Sequence, residues 1–368
     1  MKFGIRQVRT IRNRPGRIGR TLETPFARTT TRDCLDPWTY LEVTASGGLK
    51  PCCNIPAQLQ MDGSPESALD AMSSPQFREL RRRLLAGDLN PHCEKCHVRK
   101  RVPRSVLRKR VAALQESGRL SDPLEAAVPT RLRIDVNELC NLRCDYCAVT
   151  HPDYVGQEMP RELFPAVIEL TRRMPKDSEV DVNGHGETTY HPRWMEVSGQ
   201  VLDAGHRPHI ITNLAKTFSD EEIDLLARFA FIKVSLDSDD DKMMRAIRKA
   251  VRVDHVFATI DRIRASAARQ GVSPPPEIYF SVGVYDPSVW VMERFVAKLI
   301  GIGVVGVVFW NLVEYSHQTK VRALRLLDDE ETARTREILS RVKAMLETAG
   351  TDYEFLGDFN DPAGRPLI

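Results

Sequence analysis

The chain predicts an α/β fold in which a run of βα units follows a cysteine-rich module, and three observations predict it. From Arg131 onward, short β-rich runs alternate with longer stretches of helical periodicity, as in a parallel sheet covered by helices. All eight cysteines, at 34, 52, 53, 93, 96, 140, 144 and 147, lie in the first 147 residues. Residues 1–125 are broken by prolines into short segments and hold five of those eight. A length of 368 residues suits about two domains. Contents of 42% hydrophobic and 28% charged residues describe an ordinary globular protein, and a net charge of +3 is too small to name a partner.

Taken in order, residues 1–32 read as a basic tail. They contain no continuous apolar stretch that could form the core of a secretory signal, so a cytoplasmic protein is expected. Residues 33–125 read as a separate module with a helix over 75–86, closed by the basic run from Arg99 to Arg110. A domain of βα units is expected over 126–318, with strands at 131–136, 179–183, 209–212, 231–236, 277–284 and 304–311. Helices are expected at 161–174, 191–204, 220–229, 241–270 and 287–300, and a last one at 328–349 within a C-terminal extension, 319–368, that packs on this domain. The apolar stretch 295–313 contains Lys298, Gly301, Gly303 and Gly306 and reads as a helix-to-strand passage, not a membrane span. Six βα units are too few for a closed eight-stranded barrel.

The first of these strands runs into Cys140, Cys144 and Cys147, a CxxxCxxC spacing with Tyr146 before the last cysteine. Three thiolates can hold three irons of a [4Fe-4S] cluster and leave the fourth open to a small molecule. A zinc site would need a further nitrogen or sulfur ligand, which His151 could supply. The run resembles the signature of the radical S-adenosylmethionine (radical SAM) superfamily. That resemblance implies a partial (β/α)6 TIM-type barrel, and an open iron that chelates the amino and carboxylate groups of SAM. One-electron reduction then releases a 5′-deoxyadenosyl radical. In such barrels the active site gathers at the C-terminal strand ends, where the cysteine run falls.

The resemblance extends to the second strand end, Asn183-Gly184-His185-Gly186-Glu187, which is similar to the GGE-type motif receiving the SAM amino group, with Thr188 in place of the usual proline. Glycines allow close backbone approach, and a carboxylate suits an ammonium. It implies that Tyr146 lies against the adenine, that Gly184, Gly186 and Glu187 hold the methionine end, and that Asn213, Ser235 and Asp237 make polar contacts to SAM. The last three could equally be caps or turn formers. Arg143 and Asp145 read as exposed rather than catalytic.

The order Cys34, twelve residues, Gly47, four residues, Cys52, followed later by Cys93 and Cys96, resembles the SPASM/twitch auxiliary-cluster modules of many radical SAM enzymes. Here the module precedes the barrel, and the cysteines for a second auxiliary cluster are missing. One auxiliary [4Fe-4S] cluster on Cys34, Cys52, Cys93 and Cys96 is expected, with Cys53 as the spare or substitute. A zinc knuckle is the rival. The literal CxxCH at Cys93 to His97 would need export for haem attachment.

The expected function is reductive SAM cleavage and hydrogen-atom abstraction from a small metabolite, such as a sugar, aminoglycoside or nucleoside-like compound. Dehydrogenation, elimination, decarboxylation or epimerisation would follow, with electrons from a flavodoxin or ferredoxin. The barrel holds no spare thiol, so Tyr285 and Tyr315 are the candidate hydrogen donors. The alternatives are a maturase of ribosomally made peptides, an RNA-modifying enzyme drawn by the basic run, and a non-enzymatic iron-sulfur or zinc protein. No membrane partner is expected.

Overall fold

The computed structural model of the protein describes residues 29–368, apart from His97, Ala127, Val313, Tyr315 and Asp358. The tail expected at 1–32 therefore lies almost wholly outside the described residues. The N-terminal part contains β1 (Thr30–Arg32), α1 (Asp36–Thr39), β2 (Tyr40–Val43), β3 (Gly48–Lys50), β4 (Leu59–Gln60), α2 (Pro65–Ser73), α3 (Pro75–Ala86), α4 (Pro91–Glu94), β5 (Arg101–Pro103) and α5 (Arg104–Glu116). Then come β6 (Arg131–Ile134), α6 (Phe164–Arg173), β7 (Glu179–Val182), α7 (Trp194–Asp203), β8 (Pro208–Thr212), α8 (Asp220–Leu226) and β9 (Phe231–Ser235). The remainder is α9 (Asp241–Arg248), α10 (Val253–Gln270), β10 (Glu277–Val284), α11 (Met292–Gly301), β11 (Gly306–Asn311), α12 (Asp329–Ala349) and β12 (Asp352–Leu356).

All six expected barrel strands form. The sheet is nevertheless longer than six, with order β12-β11-β10-β9-β8-β7-β6-β2-β3-β4. Its pairings are parallel from β12 through to β2, where Tyr40 to Val43 pair with Arg131 to Ile134. The strands β3 and β4 add on antiparallel. The cysteine-rich module is thus joined to the barrel through a shared sheet, and β12 extends the other edge.

Alternation along the strands separates two faces. Leu132, Ile134, Val180 and Val182 are fully buried against Val167 and Leu170 of α6. Their neighbours Arg131, Arg133, Asp181, His209 and Lys233 line a cavity of about 360 Å³ on the inner face. A second core, around Trp38, Leu80, Leu84, Leu107 and Val111, holds the N-terminal helices together and touches Cys52 and Cys93.

The helix expected over 241–270 is two helices. It breaks at Lys249, whose φ of 66° is left-handed, and α10 restarts at Val253. The last helix forms as expected, opened by a capping box between Asp328 and Glu331 and closed by Gly350 at φ 65°. Among the described residues no helix is long and apolar enough to cross a membrane.

Candidate active site

The loop carrying Cys140, Cys144 and Cys147 is shaped by Asn137, just beyond β6. Its side chain accepts from the Leu139 N–H at 2.9 Å and donates to the carbonyls of Leu139 at 2.9 Å and Glu187 at 3.0 Å. Two backbone bonds zip this loop to the end of β7: Gly186 N–H to Asn137 O at 3.1 Å and Glu187 N–H to Leu139 O at 2.9 Å. The glycines permit the approach. A Cβ on Gly186 would stand 2.1 Å from Leu139 O, and one on Gly184 1.5 Å from Asp135 Oδ1.

Together these segments wall a cleft of about 380 Å³. Cys140, Cys144, Cys147, Tyr146, Gly184, Gly186, Glu187, Asn213 and Ser235 all line it, as the sequence reading expects. Cys140, Cys144 and Cys147 are free thiols. Burial pushes Cys140 up to about 11 and Cys144 up to about 12, and raises Cys147. Three convergent soft donors beside a glycine strand end and an open cleft fit a three-cysteine [4Fe-4S] cluster with a chelated ligand.

Glu187 is buried, and its carboxylate is engaged by its own chain. It accepts from Thr189 Oγ1 at 2.7 Å, Thr212 Oγ1 at 2.8 Å and the N–H groups of Thr189 and Asn213 at 3.2 and 2.7 Å. Burial outweighs these bonds and raises its carboxyl above the ordinary value. Asn213 in turn donates to Asn141 Oδ1 at 2.9 Å, beside Cys140. Lys216 is held by Glu222 within the same loop system.

Asp237 is fully buried and sits behind the cleft wall, not in it. Five donors converge on it: Arg248 at 2.8 and 2.9 Å, Tyr146 O–H at 2.8 Å, Tyr285 O–H at 2.6 Å and Gly283 N–H at 2.8 Å. Tyr285 is itself fully buried with its hydroxyl hydrogen committed to Asp237, and it does not line the cleft. Tyr315 lies outside the described residues. Tyr146 packs against Trp310 with centroids 5.0 Å apart, and the Arg248 guanidinium lies 5.4 Å from its ring centre.

Sequence reading missed Arg248, Ser281 and Trp310, which also line the cleft. Arg248 reaches it because α9 ends there. Arg143 is exposed as expected, whereas Asp145 accepts from the backbone N–H groups of Thr319 at 3.0 Å and Lys320 at 2.7 Å, tying the cysteine loop to the segment after β11. His151 packs edge-on against His317, 5.3 Å between ring centres.

A second cavity is lined by Cys34, Cys52, Cys53, Cys93 and Cys96, all free thiols. Burial raises Cys34 and Cys53 and pushes Cys52 to about 12 and Cys93 to about 11. Asn90 caps α4 by accepting from Cys93 N–H at 2.8 Å, and Asn54 Nδ2 stands 3.5 Å from Cys96 Sγ. The basic run is largely engaged within the chain: Arg99 pairs with Asp36 at 2.7 Å, Arg101 with Glu94, and Arg110 with Asp33.

The sequence model of the radical SAM superfamily matches residues 134–273, from the end of β6 to just before β10. A tungsten-containing aldehyde ferredoxin oxidoreductase cofactor-modifying protein of Pyrococcus furiosus is 25% identical over 186 residues, 50% of this chain and 51% of that protein. A GTP 3',8-cyclase of Actinobacillus succinogenes is 28% identical over 138 residues, 36% of this chain and 40% of the cyclase. The chain thus spans about half the length, or less, of these curated relatives. Among solved structures, SuiB of Streptococcus suis bound to S-adenosylmethionine aligns with a TM-score of 0.49 at 17% identity, over 78% of this chain and 62% of that one. Residues 134–273, the segment that matches the radical SAM superfamily, supply the cysteine loop, the glycine strand end and Arg248 of one cleft.

Proposed function

We propose that the protein is a radical SAM enzyme acting on a small polar metabolite. The observation that carries the reading is the convergence of Cys140, Cys144, Cys147 and the Gly184 to Glu187 strand end on one cleft. When bound there, a [4Fe-4S] cluster and SAM supply a 5′-deoxyadenosyl radical able to abstract hydrogen from carbon. The chain's own residues position the reactants. Cys140, Cys144 and Cys147 would ligate the cluster, and Gly184 and Gly186 would let backbone carbonyls meet the SAM ammonium. Glu187 acts mainly by fixing the ends of β7 and β8, because its oxygens are already occupied. Tyr146 and Trp310 offer aromatic faces to the adenine, and Asn213 and Ser235 polar contacts.

The five thiols of the second cavity would hold an auxiliary cluster. Among the described residues, no three cysteine sulfurs lie within 4.8 Å of one another. A tetrahedral zinc with bonds of about 2.3 Å would want them about 3.8 Å apart, whereas a cubane spreads its thiolates over four irons. This favours iron-sulfur over zinc.

Two observations favour a metabolite over a peptide. The inner face of the sheet is charged, with Arg133, Asp181, His209 and Lys233 around a cavity that shares Ile211 with the SAM cleft. The curated relatives are named for a cofactor and for GTP, although SuiB has been solved with a precursor peptide. Ion pairs of Arg99, Arg101 and Arg110, three of the seven cations from Arg99 to Arg110, with Asp36, Glu94 and Asp33 weaken the support for RNA. The test is anaerobic incubation of iron-loaded protein with SAM, reductant and fractionated extract. A low-mass compound consumed in step with SAM supports the reading, and consumption of a peptide alone would replace it.

A further inference from the structure

Asp135, at the end of β6, is fully buried, and its Oδ2 has no hydrogen-bond partner. Its other oxygen lies 3.3 Å from the Asn137 N–H and is pressed against Gly184, where a Cβ would stand 1.5 Å away. The carboxylate therefore cannot turn aside. His185 Nδ1 faces Oδ2 at 3.5 Å, and Glu138 completes a set of three ligand atoms all within 4.8 Å of one another.

A buried carboxylate oxygen without a partner is costly, and a second carboxylate beside it adds repulsion. The neighbouring cation, Lys50, is bound to Glu42 at 2.6 Å. Among the described residues the imidazole of His185 is the group that faces both carboxylates, and a metal ion would add the charge that Lys50, bound to Glu42, does not supply.

We propose that Asp135, Glu138 and His185 form a binding site for one divalent metal ion of the Mn²⁺, Fe²⁺ or Zn²⁺ kind, separate from both cysteine sites. Two carboxylates and an imidazole are the donors such ions take. Ligands about 2.2 Å from one ion lie within about 4.4 Å of one another, so a small shift of Glu138 and His185, both partly exposed, closes the site. Three protein ligands leave coordination positions for an anionic group of a substrate. His185 also lines the SAM cleft, which puts that group beside the reacting centre.

The test is a titration of anaerobically iron-loaded protein with Mn²⁺ alone, followed by loss of the free-ion EPR signal. The expected result is one bound ion per chain, with affinity reduced about tenfold or more in Glu138→Gln and in Asp135→Asn at unchanged iron content and circular dichroism. Glu138 is partly exposed, so its variant keeps the test open should Asp135→Asn fail to fold. Wild-type protein that leaves Mn²⁺ free at about 1 mM, or equal binding by wild type and both variants, overturns the proposal. No readout requires SAM cleavage, so the outcome is independent of the proposed reaction.

Discussion

Asp237 and Arg248 show how an ion pair between a cleft-lining arginine and a carboxylate behind the wall supports the cleft. Both are buried, with side-chain exposures of 0% and 5%, and every oxygen and nitrogen that meets in the pair is directional. Removing one partner leaves an uncompensated buried charge, so Arg248→Met should cost about 3–5 kcal/mol in urea unfolding. The double variant Arg248→Met with Asp237→Leu should recover part of that loss, because it removes both charges. Burial pushes the Asp237 carboxyl up, but Arg248, and then Tyr285 and Gly283, outweigh it and hold the group below its ordinary value. A folded value below the unfolded one stabilises fully above the ordinary carboxylate range, and the contribution disappears as pH falls through the folded value. Denaturation curves between about pH 6 and pH 3 should therefore show wild type losing its advantage over Asp237→Asn as the pH drops. Sequence alone placed Asp237 at a strand end; it could not say that the carboxylate turns toward an arginine eleven residues on. Cys140, Cys144 and Cys147 were legible for the opposite reason, since their spacing is local.

The decisive element is the break between α9 and α10. Residues 248–252, Arg-Lys-Ala-Val-Arg, contain neither glycine nor proline, so periodicity carried one helix through them. The structure stops it at Lys249, in a left-handed conformation that costs a side-chain-bearing residue about 1–3 kcal/mol. That local strain delivers Arg248 to the cleft and lets Val253 start a new helix, whose first turn is held to Asp241 at 2.7 Å. Lys249→Gly should raise stability by about 1 kcal/mol, read as a higher urea midpoint at unchanged slope, while Lys249→Ala should not. Strand elements were legible where β-rich runs were bounded by turns. The flanking β2, Tyr-Leu-Glu-Val, and β12, Asp-Tyr-Glu-Phe-Leu, are no shorter than β6 and β7, but they lie outside the run of alternating strands and helices that the sequence reading follows. They are strands because the sheet edges of β6 and β11 offer unpaired backbone groups.

At the scale of the whole molecule, one sheet connects two cysteine-lined cavities, with a charged inner face between its edges. The two-cluster reading predicts about eight irons per chain after reconstitution. Cys93→Ser should bring that to about four while SAM cleavage persists, and Cys144→Ala should give a similar count with cleavage abolished. Both are measured by iron and sulfide assay beside product chromatography. The fold class could be read from the alternation of strands and helices along the chain, and the cleft's cysteines and glycines because each depends on a short motif. Arg248, Trp310 and the Asp135 notch could not, because they depend on how distant strand ends meet. The central claim is tested most directly by incubating iron-loaded protein anaerobically with SAM and a strong reductant and quantifying 5′-deoxyadenosine. The account predicts that wild type forms it and Cys144→Ala does not; fully loaded wild-type protein that leaves SAM unconsumed would contradict it.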